Sequence, residues 1–326
     1  MEKTTQAKRK IDWIGLLKDN LAIVVVVILL VVSSFLSDVF LTRQNIFNLL
    51  RQLAPPTLVA MGMLFVIMTG GVDLSVGSVA AMASVFTAHL LGSYNLTVTV
   101  MLVLLSAAAF GGGMGYLVAR RRLAPFVVTL AGMTIARGIA FIVSRGMPVR
   151  IRHEGLISFA TTSILGIPTM VWFVAVVVVL LALMHKYTAF GRLVQTVGSN
   201  ETAAKLSGIN TSFYKIGVYM LSSMLAAVAG IMIAARVNIG SPLAGDMMEL
   251  DAIAAVVIGG ASLAGGTGKV VHTLMGVWVL GMIGNVMNLL NIANYPQQVV
   301  KGVIIILAIL IQSGRKRKDI ASSSMV

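Results

Sequence analysis

Stretches of about twenty apolar residues return along most of this chain, and they constrain its fold more than any other feature. Inside a bilayer no water satisfies a peptide N–H or C=O, so a spanning chain must be helical or a closed barrel. One helical crossing takes about 20 residues. The sequence supplies ten such stretches, at 21–40, 46–69, 73–92, 96–119, 124–144, 169–185, 213–235, 247–264, 270–290 and 296–312. The third and eighth are interrupted by glycine and carry acids at their starts. Composition agrees, because 58% of the 326 residues are hydrophobic and only 11% are charged, where soluble domains carry about 25%. The expectation is an all-α integral membrane protein of about ten transmembrane helices. A single transmembrane domain covers 21–312, flanked by basic cytoplasmic segments at 1–20 and 313–326.

The chain has no cysteine, which excludes disulfides, thiolate metal sites and cysteine nucleophiles together. Packing alone must then hold the helices, and the 32 glycines suit close backbone approach in lipid. The net charge of +14 sits in short clusters between apolar runs and at both ends. Orientation explains this better than nucleic-acid binding, because basic loops stay in the cytoplasm. With ten spans and both termini inside, Lys8, Arg9, Lys10, Arg120, Arg121, Arg122, Lys186, Arg192, Lys269 and Arg315 to Lys318 all become cytoplasmic. The loop 145–168 disagrees, placing Arg145, Arg150 and Arg152 outside. The N-terminal MEKTTQAKRKIDW has no small-residue cleavage pattern after it, so the first span is expected to be retained.

One polar segment interrupts the apolar pattern, GSNETAAKLSGIN at 198–210. Asn200 can cap a helix that has Glu201 in its first turn, Glu201 and Lys205 are spaced i,i+4, and Gly208 supplies a left-handed stop. A helix of about two turns does not persist alone in water. Ala203, Ala204 and Leu206 give it a small apolar surface suited to a groove in another protein. The plainer reading is an ordinary connecting turn. A second segment, LAGGTGKVV at 263–271, resembles a phosphate loop only superficially. The pattern requires Gly where Leu263 stands and Ser or Thr where Val270 stands. No ATP site is visible.

Asp73, Glu249, Asp251 and Arg137 are the charges nearest the membrane interior. Charge there is expensive, so each is a functional candidate; the structural reading is that Asp73 and Asp251 cap the helices following them, with Arg137 paired to one of them. Asn285, Asn288 and Asn291 recur at i,i+3. Such amides can line a path for a hydroxyl-rich solute or bond neighbouring helices. Asp73, Ser75, Asp251, Asn285 and Asn288 are the candidates for a path or gate. The four histidines show no ligand spacing, so no metal is expected. GGVDLSVGSVAAM at 70–82 and ELDAIAAVVIGGA at 249–261 follow spans of opposite direction, the pattern of an inverted repeat, where transporters place substrate between broken helices.

Together, GGVDLSVGS (70–78), GSNETAAKLSGIN (198–210) and ELDAIAAVVIGGASLAGGTG (249–268) resemble the permease subunits of bacterial ABC importers for monosaccharides, the ribose-type group. The resemblance runs from about residue 40 to 312. It implies two permease copies in the inner membrane, two cytoplasmic ATPase subunits that hold ATP and Mg, and a periplasmic sugar-binding protein. The chain itself would be no enzyme and would bind no cofactor. Gly198, Asn200, Glu201, Ala203, Ala204, Lys205, Leu206 and Gly208 match the family's coupling loop, which docks on the ATPase. Arg145, Arg150 and Arg152 become candidate contacts for the binding protein. Two other classes stay open at this point. An ion-coupled secondary transporter would use Asp73 and Asp251, and a passive channel would need no partner.

Overall fold

The computed structural model describes residues 21–293, 295–307 and 310. The basic segments 1–20 and 313–326 lie outside the described residues. In order the elements are α1 (Leu21–Leu36), α2 (Arg43–Met68), α3 (Val76–Leu90), α4 (Leu96–Ala119), α5 (Pro125–Ser144), β1 (Val149–Arg150), α6 (Glu154–Thr161), β2 (Ser163–Ile164), β3 (Ile167–Pro168), α7 (Thr169–Tyr187), α8 (Ala189–Ser199), α9 (Glu201–Leu206), α10 (Thr211–Val237), β4 (Ile239–Gly240), α11 (Met248–Ile258), α12 (Val270–Leu289) and α13 (Tyr295–Leu307). Among the described residues, α2, α4, α5, α7, α10 and α12 are long and apolar enough to cross a membrane, and α1, α3 and α13 are shorter apolar helices.

Two expected spans are corrected. The stretch 73–92 contains a 15-residue helix and 247–264 an 11-residue one. At 1.5 Å per residue these reach about 22 and 16 Å, short of a bilayer core of about 30 Å. Backbone geometry is the reason. Gly70 (φ 76°) turns the chain after α2, and Gly259 with Gly260 (φ 82°) ends α11.

Burial separates an inner set of helices from an outer one. The most apolar windows of α2, α10 and α12 are 78%, 61% and 56% buried, whereas those of α4, α5 and α7 are 22–28% buried and offer their sides to lipid. Close approach at small residues builds the interior. A side chain at Gly62 of α2 would lie 2.9 Å from the Cα of Ser222 in α10, and one at Gly230 of α10 would meet the backbone of Ala80 in α3. Each added methyl would have to push a packed backbone aside.

Short pairings fix the two ends of the bundle. Val149 pairs with Gly240 and Arg150 with Ile239, so the ends of α5 and α10 share one face. On the opposite face Ser212 donates to the carbonyl of Ala119 at 3.4 Å, and the Gly266 N–H donates to that of Met68 at 2.9 Å. α3 runs beside α10 toward the strand face, from Asp73 at Ser222, past Ala80 at Gly230, to Ser84 at Gly240. α11 runs the other way along α12, from Ala255 at Gly276 to Gly259 at His272. The two short helices begin at a common level, where Gly77 abuts the Glu249 carboxylate, and they diverge in opposite directions.

Candidate functional site

On the face opposite the strands, the polar segment folds as its residues require. The side chain of Asn200 accepts from the Ala203 N–H at 2.9 Å and so satisfies a free donor of the first turn of α9. Gly208 is left-handed (φ 79°), with its N–H bonded to Lys205 and that of Ile209 bonded to Ala204. Glu201 is 2.7 Å from Lys205, as the i,i+4 spacing predicts. It also pairs with Lys215 and accepts from the Thr211 hydroxyl at 3.4 Å, both on the first turns of α10. Partial burial opposes ionisation of this carboxyl, but the two ammonium groups outweigh it and hold the group at about 2. α9 is thus fastened to α10 through a side chain that stays charged.

The expected apolar surface needs one correction. Ala204 is 2% exposed and points into the protein, because it lies on the face of α9 packed against the rest of the chain. Ala203 remains exposed, and Leu206 stands 86% exposed. Phe213, 62% exposed in the first turn of α10, extends the patch. Its ring lies edge-on to Tyr214 at 5.4 Å, and Tyr214 in turn meets Phe190 of α8 at 5.8 Å. Sequence reasoning missed this aromatic row. It also missed α8, although Gly191, Val194 and Val197 recur at i,i+3 and are buried, with Arg192 exposed between them.

Gly198, in the last turn of α8, brings three distant segments together. A Cβ there would lie 2.7 Å from the Gly266 nitrogen and 2.8 Å from the carbonyl carbon of Met68. Gly265 (φ 91°) lies against Gly70 and the Gly198 carbonyl, and Gly266 (φ 80°) against Ser199. The turn leading into α3, the turn leaving α11 and the end of α8 therefore touch backbone to backbone. The three motifs singled out from the sequence meet in space here.

Deeper in the bundle, Asp73 is 1% exposed. Its carboxylate accepts from the Ser75 N–H at 3.0 Å, the Ser75 hydroxyl at 2.6 Å and the Ser222 hydroxyl at 2.9 Å, which ties the start of α3 to α10. Asp73 and Ser75 line neither of the two cavities described next. Arg137 pairs with neither Asp73 nor Asp251. Its guanidinium donates to the carbonyls of Pro242 and Ala244 at 2.7 and 3.1 Å and lies 3.9 Å from Asp246, because the descending segment 241–247 reaches it first.

A cavity of about 200 Å³ lies between α2, α11, α12 and α13, and Gln52, Asp251, Asn288, Gln297 and Lys301 line it together with apolar residues. Lys301 bonds Asp251 at 2.8 Å, and Gln297 donates to Asn288 at 2.8 Å. The expected stripe of three amides divides. Asn285 is buried in a reciprocal amide pair with Asn45 at 2.9 and 3.0 Å, Asn288 faces the cavity, and Asn291 (φ 56°) lies past the end of α12. A second cavity, of about 520 Å³, opens toward the strand face and is lined by Asn48, Arg51, Gln52, Ala160, Thr161 and Arg236. Gln52 lines both. Arg145, Arg150 and Arg152 are all exposed on this same face.

Residues 45–309 match the family model described as branched-chain amino acid transport system / permease component. The ribose import permease protein RbsC of Escherichia coli K12 is 40% identical over 305 residues, covering 92% of this chain and 95% of that protein. Bacillus subtilis RbsC is 39% identical over 314 residues, with 95% and 97% covered. The L-arabinose transport system permease protein AraH of Escherichia coli K12 is 34% identical over 292 residues, 88% of each chain. No solved structure matches the chain. The resemblance read from three motifs thus extends across almost the whole length, and this chain belongs to the branched-chain amino acid transport system / permease component family, beside the ribose and arabinose permeases, as a multi-pass inner-membrane protein.

Proposed function

We propose that this chain is the permease subunit of an ATP-driven importer that passes a neutral pentose or hexose inward by alternating access. The observation that carries the reading is the contact at Gly198, where a solvent-facing helix pair touches the turns serving both short helices. A push on α9 would reach α3 and α11 together, and broken helices that meet at one level are where transporters hold substrate. The polar row Gln52, Asn288, Gln297 and the Asp251–Lys301 pair offers donors and acceptors suited to sugar hydroxyls.

In this reading α9, with Leu206 and Phe213 exposed, docks on a cytoplasmic ABC ATPase that holds ATP and Mg. A second permease copy completes the path. A periplasmic sugar-binding protein sits on Arg145, Arg150 and Arg152, basic side chains on the face where the positive-inside rule disfavours them. The chain crosses the membrane ten times with both termini cytoplasmic, the third and eighth crossings each being a half-length helix completed by a non-helical segment, 70–75 and 241–247, as an inverted repeat would place them. Its own residues line, gate and transmit.

The test is uptake of D-ribose, L-arabinose and D-xylose by proteoliposomes that contain this chain, its ATPase and its binding protein. Uptake that requires ATP and the binding protein supports the reading. Uptake driven by a proton or sodium gradient alone would instead support the ion-coupled alternative at Asp73 and Asp251, and downhill flux by the chain alone would support a channel.

A further inference from the structure

We infer that the 520 Å³ cavity on the strand face is a sugar-receiving site, occupied before the solute passes Gln52 into the inner cavity. This rests on the permease reading above. Arg51 and Arg236 both line the cavity, and neither has an ion pair among the described residues. The Nε of Arg51 is buried without a partner. That nitrogen is walled in by protein, so a solute in the cavity would meet the other nitrogens of the Arg51 guanidinium, beside the exposed Arg236. Two guanidinium groups without a counter-charge, beside the amides of Asn48 and Gln52, ask for a ligand rich in oxygen acceptors.

The acceptor half of the site follows from the sequence RQLAPP at 51–56. A proline inside a helix has no N–H to give the carbonyl four residues earlier. Pro55 therefore withholds the usual helical donor from Arg51, and Pro56 withholds it from Gln52. The turn of α2 that presents the donors is the turn whose carbonyls lose their customary partners. A neutral polyol, each hydroxyl of which donates and accepts, matches both. Gln52 lines both cavities, and the next turns of α2, through Leu53, Pro56 and Ala60, continue along the inner one, so the two sites lie in series.

The experiment measures the maximal D-ribose uptake rate of the complete reconstituted complex at saturating loaded binding protein, together with the affinity of binding-protein docking. The first variant is the double change Arg51→Lys and Arg236→Lys, which keeps both charges but loses the planar forks. The second is Pro55→Ala with Pro56→Ala, which favours the helix and so keeps the fold intact. Both are expected to lower maximal uptake about tenfold, the worth of one charged hydrogen bond, with docking unchanged. Wild-type uptake in either variant overturns the site, as does a loss of uptake that tracks a loss of docking, which would assign the arginines to the protein partner. If the wild-type complex moves no sugar, the permease reading fails as well.

Discussion

Gly198→Ala is the most informative single methyl in this protein. Ordinary contacts to a Cβ fall at 3.4–4 Å and real ones essentially never below 3.0 Å, whereas this one would stand 2.7 Å from the Gly266 nitrogen and 2.8 Å from the Met68 carbonyl carbon. The Met68 carbonyl oxygen lies closer still, so reaching 3.4 Å requires the neighbouring backbone to open by well over about 0.6 Å, and every atom met is backbone. The Gly266-to-Met68 hydrogen bond at 2.9 Å spans the same gap, so α8 itself must retreat and take α9 with it. Overpacking against fixed backbone falls at or above the upper end of the usual range, about 3 kcal/mol, and because hydropathy still drives insertion, membrane abundance should persist. Transmission should not, because constellations held to about 0.5 Å lose function when shifted by more. The assay is ATP-driven D-ribose uptake in the reconstituted complex, run beside ATPase binding and membrane abundance. The expected result is at least a tenfold fall in uptake at near-normal abundance. Gly113, exposed on α4 and lining neither cavity, where a Cβ would meet nothing within 4 Å, is the matched control. Uptake by Gly198→Ala equal to that of Gly113→Ala would refute the idea that backbone contact at this position carries the stroke.

Asp73→Ala strands the Ser75 N–H, the Ser75 hydroxyl and the Ser222 hydroxyl, so it should cost about 2–4 kcal/mol, read as a lowered midpoint of thermal unfolding in detergent. Asp73→Asn, which keeps acceptor oxygen, should cost less, and equal losses would contradict its role in tying the start of α3 to α10. Lys301→Met leaves the Asp251 carboxylate unpaired, and because both side chains are about one-third exposed the expected loss is about 1–2 kcal/mol, less than for a fully buried pair. Adding Asp251→Asn should restore most of that stability, and a double variant no better than the single would deny the coupling. Glu201 titrates at about 2, below its ordinary 4.5, so its hold on Lys215 is complete above pH 4.5 and weakens only as pH falls toward 2. Hydrogen exchange of α9 should therefore be pH-independent, after correction for the intrinsic rate, between pH 8 and 5. Glu201→Gln should show faster exchange of α9 already at pH 7.

Much of the fold was legible because bilayer physics leaves few options. Twenty apolar residues dictate a helix, and the six long spans and the capped polar helix at 201–206 followed from hydropathy, Asn200 and Gly208. The half-length helices were less so, since hydropathy averages over the turns at Gly70 and Gly260 and cannot tell a continuous span from a broken one. Pairings across space were the least accessible. Nothing in the local sequence says that Asn285 would find Asn45, 240 residues away, or that Arg137 would be met by the carbonyls of Pro242 and Ala244. Nothing local joins Arg51 to Arg236, and only tertiary structure puts them in one cavity. α8 carried a usable i,i+3 signal in Gly191, Val194 and Val197, hidden because its glycines and polar residues read as a loop.

The chain contains no cysteine, so one introduced thiol reports without background. The most direct measurement is disulfide crosslinking from Leu206→Cys, 86% exposed on α9, to single cysteines in the cleft of the partner ATPase, with and without ATP. A crosslink that forms, and whose yield changes when ATP is added, is the predicted result. Efficient crosslinking from Arg150→Cys on the opposite face, or none from Leu206→Cys at any nucleotide state, would contradict the account.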